Sequence, residues 1–436
     1  MTKLLALTLV VVFFCGAQAF RLAGVKQGSN TGVHWALLVA GSRGWMNYRH
    51  QADVCHAYQI LHKHNVPDDH IVVMMYDDIA NNPANPYPGV IVNAPGGPNV
   101  YAGVPKDYTG NDVTPENFLA VLQGNKEAVQ GVGSGRVINS GPDDNVFVFF
   151  SDHGATDLIA FPESELMESD LQSALQKMKT QNKFSKLVFY LEACESGSMF
   201  DSYSIDDVFT VTASGPDESS YACYYNSTLD TYLGDVFSVN WIQDSEKAIF
   251  SQETLLKQYK VVKEETNTSK VHKYGDMSFD KDNLNQFQAG QGKAAGAKTA
   301  AEGSVSPRDA VPSPEVPMAI LHHRLMAATD PIRRSQILKE IVTLGQTQQQ
   351  MVSVLGATVE ATLGDNGDLK SKVMTRHGVQ VTDWDCYKTA VSHFSKTCFP
   401  FSKHDYALSL LYILANLCEE RVTTDRIISA MDAQCK

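Results

Sequence analysis

Positive charge is scarce in this sequence of 436 residues, which has 36 Lys and Arg against 49 Asp and Glu and a net charge of −13. Binding to a polyanion through bulk charge is therefore disfavoured. Long apolar runs are also missing: the best one, residues 4–15, is too short for a membrane span, which needs about 18 residues or more. An apolar share of 43% and a charged share of 19% are those of a globular protein, which excludes a wholly disordered chain.

The motifs of several cofactor and metal enzymes are absent as well. The sequence has no P-loop, no dinucleotide fingerprint and no G-x-S-x-G elbow. Its 13 histidines form no H-E-x-x-H pair, and its cysteines lack C-x-x-C spacing. His56 and His62 are six positions apart and so lie on different faces of a helix. We therefore predict no cofactor and no metal site.

The first 19 residues have the features of a secretory signal peptide. Lys3 gives a short basic start, residues 4–15 are apolar apart from one Thr, and Ala17-Gln18-Ala19 fits a signal-peptidase site. A buried first helix would explain the apolar run but not the three features together. Two N-x-S/T sequons, at Asn226 and Asn267, agree with this route and are predicted glycosylation sites. We expect cleavage after residue 19 and entry into the secretory pathway.

Residues 20–287 alternate apolar strands with amphipathic helices. The predicted strands are residues 33–40, 71–76, 146–150 and 186–191, and predicted helices cover residues 51–64 and the segment with Leu171, Leu175 and Met178. Near-continuous apolar strands separated by helices indicate a mostly parallel sheet covered on both faces. Residues 1–287 carry the acidity, with 20 Lys and Arg against 34 Asp and Glu, or −14, which leaves +1 for residues 288–436.

The remaining chain divides into a predicted linker and a predicted helical module. Residues 288–317 are rich in Gly, Ala, Ser, Lys and Pro, which is typical of an exposed linker. Residues 318–436 show helical periodicity. Four of the eight cysteines fall in this last segment, at positions 386, 398, 418 and 435. In an oxidising compartment they suggest two disulfides, and three pairings are possible.

Two of the predicted strands end in reactive residues. Residues 146–150 lead into His153, and residues 186–191 lead into Cys194. The helix between these strands indicates a right-handed crossover, which makes them parallel neighbours or nearly so. Their carboxyl ends then share one edge of the sheet, where ligands bind in open α/β folds. A thiol beside an imidazole is the basis of nucleophilic cysteine catalysis, so we predict a Cys–His hydrolase.

A single cysteine or histidine after a strand is more often structural. Cys55 and Cys223 are expected to be small core residues of this kind. Cys194 and His153 differ because each closes an apolar strand, each is followed by small residues, and both lie on the same edge.

Six short motifs together resemble one known family, the legumain family of asparaginyl endopeptidases. They are Asn47-Tyr-Arg-His-Gln-Ala-Asp53, Val73-Met-Met-Tyr-Asp-Asp78, Val104-Pro-Lys-Asp-Tyr-Thr-Gly110, Ser151-Asp-His-Gly154, Glu192-Ala-Cys-Glu-Ser-Gly197 and Glu218-Ser-Ser-Tyr-Ala-Cys223. The resemblance keeps the motif order and runs from about Trp35 to the last cysteine. It implies a caspase-like α/β/α sandwich, followed by a linker and a disulfide-bonded helical C-terminal prodomain.

The resemblance also implies roles for individual residues. The nucleophile falls on Cys194, the general base and acid on His153, and the group that orients the imidazole on Asn47. The oxyanion donors fall on the backbone N–H groups of Gly154 and Cys194. The residues implied for the pocket that binds the substrate asparagine are Arg49, His50, Glu192, Ser220 and Asp235. The implied disulfides are Cys386–Cys418 and Cys398–Cys435.

The pocket composition suits an asparagine side chain, which offers one carbonyl acceptor and one NH₂ donor group. Arg49 can donate to the carbonyl, while Glu192 and Asp235 can accept from the NH₂. Without the resemblance, an ordinary surface ion pair among these residues would be the simpler interpretation.

The expected function is that of a proenzyme which cleaves proteins and peptides after Asn, and after Asp at lower pH, in a lysosomal, acidic or extracellular compartment. Two alternatives stay open. One is a peptide ligase or transpeptidase with the same specificity, in which an amine resolves the acyl-enzyme. The other is a non-catalytic secreted binding protein, which the presence of Cys194, His153 and Asn47 argues against.

Maturation departs from the pattern of the family, whose members often carry an Asn before the prodomain helices. This chain has Asp330-Pro331 there, and Asp309 and Asn285 are other candidate cleavage points. We expect the C-terminal helices to cover the cleft and inhibit it. Because their net charge is only +1, local basic residues must attract the acidic body, and the expected ones are Arg324, Arg333 and Arg334.

Overall fold

The computed structural model describes residues 32–290 and 309–435. The predicted signal peptide and residues 291–308 of the predicted linker lie outside the described residues. Within the described ranges, no helix combines the length and the apolar character that a bilayer span requires.

The strands of the described residues run from β1 to β12. They are β1 (His34–Ala40), β2 (Ile71–Met74), β3 (Asn145–Ser151), β4 (Gly154–Ala155), β5 (Leu158–Ala160), β6 (Glu165–Met167), β7 (Lys186–Glu192), β8 (Val208–Thr212), β9 (Tyr221–Asn226), β10 (Thr231–Asp235), β11 (His272–Gly275) and β12 (Val311–Pro312). Six of them form one sheet in the order β11-β8-β7-β3-β1-β2. All neighbours in it are parallel except β11 and β8, which confirms the predicted mostly parallel sheet.

The α-helices of the described residues run from α1 to α11. They are α1 (Tyr48–Lys63), α2 (Pro115–Leu122), α3 (Glu168–Thr180), α4 (Val236–Lys247), α5 (Leu255–Glu265), α6 (Val316–Ala327), α7 (Pro331–Leu363), α8 (Gly367–Val373), α9 (Trp384–His393), α10 (Tyr412–Glu419) and α11 (Thr424–Gln434). Local sequence explains several starts. Thr114 caps α2 and Asp330 caps α7, each accepting from a backbone N–H in the first turn, and a proline follows each cap.

Alternating side chains of the central strands enter two separate cores. Leu38 and Phe149 belong to the cluster that α1, α4 and α5 cover. Leu37 and Val148 belong to the cluster on the opposite face, which α2 and α3 cover. Because successive strand residues point to opposite faces, near-continuous apolar strands are needed to fill both cores. The sheet between two helical layers is the predicted α/β/α sandwich.

The central pair of strands positions the reactive residues. In the parallel pair β3 and β7, Ser151 lies opposite Glu192. His153 and Cys194 each follow two residues after these partners. The backbone N–H of Asp152 donates to the Glu192 carbonyl at 3.0 Å, which continues the pairing past the end of β3. The two catalytic candidates therefore leave the sheet side by side at its carboxyl edge.

Helices α7 to α11 form a third apolar core, separate from the two cores of the sheet. Its buried residues include Leu355, Tyr387, Val391 and Leu414. Disulfides join Cys386 to Cys418 and Cys398 to Cys435, the pairing that the resemblance implies. Each closes a loop of more than 30 residues, and such a crosslink typically contributes about 2–4 kcal/mol to stability.

This helical module packs directly on the small antiparallel sheet β4-β5-β6. Ala155, Leu158 and Met167 of that sheet share the module's apolar cluster. The Tyr387 hydroxyl donates to the Thr156 carbonyl at 2.6 Å, and the Val381 N–H donates to Asp157 at 2.9 Å. The segment after β3 that contains His153 thus leads directly into the docking surface.

The described end of the predicted linker differs from an exposed segment. β12 pairs antiparallel with β9, and Val316 and Ile320 at the start of α6 are buried against Ala222 and Tyr232. Residues 309–317 are rich in proline, but they include two apolar side chains, Val311 and Val316, that pack against Ala222 and Tyr232 of the body.

Candidate active site

Cys194 lies two residues after β7 and is buried, with 2% of its surface exposed. The Ser220 N–H points at the Cys194 sulfur at 3.4 Å, and the Ser220 hydroxyl lies 3.7 Å from it. Glu195 adopts a left-handed conformation with φ 48°, which turns the chain sharply after the thiol. Burial raises the pKa of the Cys194 thiol to about 12, and the Glu195 carboxyl adds to that rise. In this form the thiol is protonated.

His153 is held by the asparagine expected to orient it. The Asn47 side-chain Oδ1 lies 2.9 Å from His153 Nε2. Asn47 Nδ2 donates to the Arg43 carbonyl at 3.1 Å, which fixes the amide with its oxygen toward the ring. His153 Nε2 must then carry the proton, since Oδ1 only accepts, and Nδ1 becomes the basic nitrogen. Burial, with a contribution from the Arg49 charge, lowers the pKa of His153 well below its ordinary value.

Gly154 packs against the backbone of the nucleophile. A Cβ at position 154 would lie 2.3 Å from the Cys194 carbonyl oxygen and 3.0 Å from the Ala193 Cβ. Only glycine allows this approach, because real Cβ atoms do not come within 3.0 Å of such atoms. The two backbone groups expected to form the oxyanion hole, at Gly154 and Cys194, therefore belong to chain segments in close contact.

The residues expected in the asparagine pocket form one buried cluster. Arg49 Nε donates to Asp235 Oδ1 at 2.9 Å, and both side chains are almost fully buried. Glu192 Oε2 accepts from the Ser238 N–H at 2.9 Å and from its hydroxyl at 3.0 Å. His50 Nε2 lies 3.6 Å from Asp235 Oδ2. The interpretation as a surface ion pair is wrong for these residues.

Two acceptor atoms of this cluster are unused. Glu192 Oε1 and Asp235 Oδ2 are buried and have no hydrogen-bond partner among the described residues. A buried oxygen without a donor is costly, so such atoms often mark a ligand position. Burial raises the pKa of both carboxyl groups, and the Arg49 charge lowers both. One cation and two free acceptors match the three hydrogen-bonding needs of a carboxamide.

Ser313, a residue of the predicted linker, occupies the side of this pocket where Arg49 donates hydrogen bonds. Arg49 Nη2 donates to the Ser313 hydroxyl at 2.6 Å, and Ser313 is buried. The Ser313 N–H donates to the Ser220 carbonyl at 2.9 Å, which extends the β12–β9 pairing to the nucleophile's neighbour. Because Ser313 carries no charge, the pocket is filled by a neutral hydroxyl and not by one of the expected basic side chains.

The module also reaches the catalytic histidine. Asp405 Oδ2 lies 3.5 Å from His153 Nε2. Asp405, Asn47 and His153 line a cavity of about 530 Å³ between the body and the module, and Cys194 does not line it. Burial raises the pKa of Asp405 to about 6.

An ion pair connects the module to the residue beside the nucleophile. Arg376 Nη1 lies 2.9 Å from Glu195 Oε1, and Glu195 is nearly fully buried. Of the expected basic residues, Arg324 contacts the body, at 2.6 Å from Asp230. The expectation is wrong for the other two: Arg333 pairs with Glu340 of its own helix, and Arg334 donates to carbonyls at the end of α6 and just after it.

Ser313, Arg376 and Asp405 were not identified from the sequence. None belongs to a motif or follows one of the predicted strands, and only the folded contact reveals what each one touches. Cys55 and Cys223 are buried free thiols, as expected of core residues.

The structure also places the remaining sequence candidates. Asn267 is exposed and Asn226 is half-buried, and their glycosylation stays a prediction. His50, Asp152 and His153 have ligand-type atoms within 4.8 Å of one another, but these belong to the active-site cluster itself. The absence of a metal stays a prediction.

Comparisons with known proteins agree with the geometry. The Peptidase C13 family matches residues 34–291, and the description "Legumain, prodomain" matches residues 336–435. Similar curated proteins are legumain of Rattus norvegicus, 46% identical over 100% of this chain and 99% of its own length, and legumain of Homo sapiens, 44% identical over 98% of each chain.

More distant matches are the vacuolar-processing enzyme delta-isozyme of Arabidopsis thaliana, 39% identical over 93% of this chain and 91% of its own length, and a solved caspase-1 of Spodoptera frugiperda. The caspase is 12% identical with a TM-score of 0.32, covering 53% of this chain and 76% of its own. The family match over most of the body, together with full-length relatives above 40% identity, shows that this chain is a cysteine peptidase of the Peptidase C13 family with a legumain-type prodomain.

Proposed function

We propose that this peptidase cleaves proteins and peptides on the carboxyl side of asparagine. The observation that carries the proposal is the buried pocket of Arg49 with two unused acceptors, Glu192 Oε1 and Asp235 Oδ2. The Arg49 donor now bound to Ser313 suits the substrate's side-chain carbonyl. The two acceptors suit the two hydrogens of its NH₂ group. Relatives named legumain and vacuolar-processing enzyme support the same assignment.

The proposed catalytic cycle uses Cys194 and His153. His153 Nδ1 accepts the thiol proton while the sulfur attacks the scissile carbonyl carbon, which forms a C–S bond and an oxyanion. The N–H groups of Gly154 and Cys194 donate to that oxyanion. The imidazolium then gives its proton to the departing amine as the C–N bond breaks, leaving a thioester. Water, deprotonated by His153, attacks the thioester and releases the acid and the thiol. Asn47 keeps Nε2 protonated throughout.

The pocket also accounts for a pH-dependent choice between Asn and Asp. An aspartate substrate has nearly the same shape but is ionised above a pKa of about 3.9. Its second oxygen would face Glu192 and Asp235, where Asn presents a donor. Protonation of the substrate or of a pocket carboxyl supplies that donor, so cleavage after Asp is expected only in acid. Gln is expected to be poor, because its extra methylene moves the amide away from its fixed partners.

We propose that the full chain is a latent proenzyme, divided into a catalytic body of residues 20–287, a pro-segment of residues 288–317 and an inhibitory module of residues 318–436. Three contacts support latency: Ser313 on Arg49, Asp405 beside His153 and Arg376 on Glu195. Cys194 is also buried in this form, and burial raises the pKa of its thiol to about 12, so the thiol is protonated at neutral pH.

Charge attraction alone would weaken docking in acid, because the acidic body loses negative charge there, but the buried carboxyl groups have the opposite effect. Burial raises the pKa of Glu195 and Asp157 to about 8, of Glu165 to about 7 and of Asp405 to about 6. Undocking exposes these groups and returns them toward ordinary values, so the docked form binds more protons. Their contribution to docking is complete below about pH 4 and is lost as pH rises through 6 to 8. Acid alone therefore does not release the module through these groups.

Self-cleavage after aspartate offers a route to activation in acid. Asp330 is exposed between α6 and α7, although Pro331 hinders cleavage there, and Asp309 is bound through its carboxylate by the N–H groups of Tyr224 and Tyr225. Because cleavage after Asp is expected only at low pH, maturation at either site would begin in an acidic compartment. A secretory route with glycans at Asn226 and Asn267, ending in a lysosomal or acidic extracellular space, fits this requirement.

The test compares initial rates on matched peptides with Asn, Asp or Gln at one position, from about pH 4 to 7, using acid-activated protein. The Asn peptide is expected to be cleaved over the whole mildly acid range. The Asp peptide is expected to be cleaved only toward pH 4–5, near the pKa of its own carboxyl. Mass analysis of the products with an added amine separates hydrolysis from ligation. An Asp-to-Asn rate ratio that stays flat with pH would rule out this account of the pocket.

A further inference from the structure

We propose that Asp53 is a positioning residue of the asparagine pocket, which holds Asp235 by donating a shared proton to it. This inference rests on the proposed function, because Asp235 is one of the two acceptors assigned to the substrate carboxamide. Asp53 was not among the site residues expected from the sequence, although it ends the first motif.

The placement of Asp53 follows from helix geometry. Asp53 lies four residues after Arg49 on α1, so both side chains leave the same face of the helix toward β10. Asp235 is the last residue of β10. The carboxyl groups of Asp53 and Asp235 are in hydrogen-bonding contact, and both are buried, with exposures of 0% and 1%. Asp235 thus has Arg49 on one side and Asp53 on the other.

Two carboxylates in contact in a dry site cannot both be ionised. Asp235 accepts from the Arg49 guanidinium, which favours its charged form. Asp53 has no cation among its partners: Oδ1 accepts from Asn93 Nδ2 at 2.7 Å, and Oδ2 lies 3.3 Å from the Ser151 hydroxyl. Burial, together with the Asp235 and Glu192 charges, raises the pKa of Asp53 well above its ordinary value. The shared proton therefore belongs to Asp53.

A buried amide fixes the orientation of Asp53. Asn93 Nδ2 donates both to Asp53 and to the Leu233 carbonyl, the latter at 2.9 Å, so both of its hydrogens are used. Asn93 Oδ1 then accepts from His56 Nδ1 at 2.9 Å, and His56 Nε2 lies 3.2 Å from Glu246. The roles of Asn93 are fixed, because both of its hydrogens are donated and its oxygen can only accept. The network consequently holds Asp53 Oδ1 as an acceptor and directs its proton to Asp235.

The backbone of β10 makes room for this network. A Cβ at Gly234 would lie 2.9 Å from Asn93 Nδ2 and 3.2 Å from Asp53 Oδ1. A side chain there would push the amide and the carboxyl away from the strand. The glycine before Asp235 is thus required for the contact, an observation independent of any ionisation state.

The consequence for the pocket is an acceptor with a fixed direction. With Oδ1 bound by Arg49 and the carboxylate held by Asp53, Asp235 still has lone pairs for the substrate NH₂, because each carboxylate oxygen can accept two hydrogen bonds. Without the donor at position 53, Asp235 is free to rotate about its side-chain bonds or to take up a proton itself. Either change weakens binding of the asparagine side chain and leaves Cys194 and His153 unaffected.

The experiment measures KM and kcat of acid-activated protein on one Asn peptide for the wild type and four variants. Asp53→Asn keeps an NH₂ donor toward Asp235 and a carbonyl toward Asn93, so it imitates protonated Asp53. Asp53→Ala and Asp53→Val both remove the donor. They differ in side-chain volume, so the second serves as the test if the first does not fold. Asp244→Ala, which loses a carboxylate bound by Gln258 outside the pocket, is the matched control. Thermal unfolding of each protein reports folding.

If Asp53 is a donor, Asp53→Ala and Asp53→Val should raise KM about tenfold or more, because that factor corresponds to the loss of one hydrogen bond to a charged group. Their kcat should change less than about threefold. Asp53→Asn is expected to keep KM within about threefold of the wild type, and Asp244→Ala to leave it unchanged. An unchanged KM in a folded non-donating variant would overturn the inference, as would an Asp53→Asn protein as weak as Asp53→Ala. A wild-type enzyme without preference for Asn would instead refute the proposed function, before any variant is compared.

Discussion

The catalytic body and the helical module contribute to the same active site in different ways. In the body, His153 and Cys194 come together because β3 and β7 are parallel neighbours, so the backbone topology itself places them. In the module, Arg376 and Asp405 reach the site from loops between helices, and their positions depend on how the whole module docks. The comparison supports a division in which the proposed chemistry belongs to the sheet edge and the proposed control of access belongs to side chains of a separate core.

The two regions also differ in how they are stabilised. The body buries two apolar layers on either side of one sheet and has no disulfide among its described residues. The module buries one smaller core and carries both disulfides. A small helical core gains the most from crosslinks, because it has less apolar surface to bury. Changes in the module are therefore expected to alter latency without altering catalysis.

The largest effect is expected from removing the nucleophile or its base. Cys194→Ala or His153→Ala should lower kcat by about 10⁴-fold or more, while Asn47→Ala should cost about 10²-fold, since it only orients the ring. Rates on an Asn peptide, with thermal unfolding as the folding control, provide the measurement. A folded Cys194→Ala protein that retained hydrolysis would place the chemistry elsewhere.

A smaller effect is expected from Glu192→Gln within the pocket. The carbonyl of Gln can still accept from Ser238, but its NH₂ replaces the unused acceptor Oε1 with a donor. The rate of cleavage after Asn should fall by about 10- to 100-fold, because the new NH₂ group faces the substrate NH₂ and neither finds an acceptor. The ratio of the Asp rate to the Asn rate should rise near neutral pH. The matched peptides measure both quantities. If the ratio did not rise, the charge account of specificity would fail.

A change in the module should alter latency alone. Arg376→Ala removes the guanidinium that donates to the buried Glu195 carboxyl, a hydrogen bond that persists when the carboxyl is protonated, and should shorten the lag before activity appears in acid by several-fold. Arg333→Ala, which loses only a pair with Glu340 on its own helix, is the matched control. After maturation, both variants should have wild-type kcat/KM. A lower kcat/KM in mature Arg376→Ala protein would show that the module takes part in catalysis.

The smallest effect is expected from Asp405→Asn, and it depends on pH. Burial raises the pKa of Asp405 to about 6. The charged Asp405 carboxylate therefore destabilises the docked wild type above that pH, and this cost is absent below about pH 4. The neutral amide should therefore raise Tm at pH 7.5 and change it little at pH 4.5, in a Cys194→Ala background that prevents cleavage. A lower Tm at pH 7.5 would mean that the Asp405 charge itself holds the module.

Much of the body could be predicted from the sequence because its signals are local. The apolar strands lie within a few residues of their predicted bounds, and each reactive residue directly follows one of them. The pocket needed the family resemblance, because Arg49, Glu192 and Asp235 are far apart in the chain and only the fold brings them together. Asp53 was missed since a carboxyl on an amphipathic helix looks like a solvated residue until β10 covers it.

The contacts of the module could not be predicted, because they depend on docking rather than on local pattern. Arg333 and Arg334 were expected from charge alone to face the body, yet they contact residues of α7 and α6. Ser313 lies in a proline-rich segment with the composition of a linker, and its neutral side chain gave no sign that it would bind Arg49. Charge and composition describe a surface, but they do not select the partner of one side chain.

The most direct test of the separation between chemistry and access follows one full-length sample through acidification. Asn-peptide cleavage and the mass of the chain are measured together at pH 7, and then at intervals after transfer to about pH 4.5. The account predicts an uncut, inactive chain at pH 7, and activity at pH 4.5 that appears only as roughly the last quarter of the chain is lost. Full activity in an uncut chain at neutral pH would contradict it.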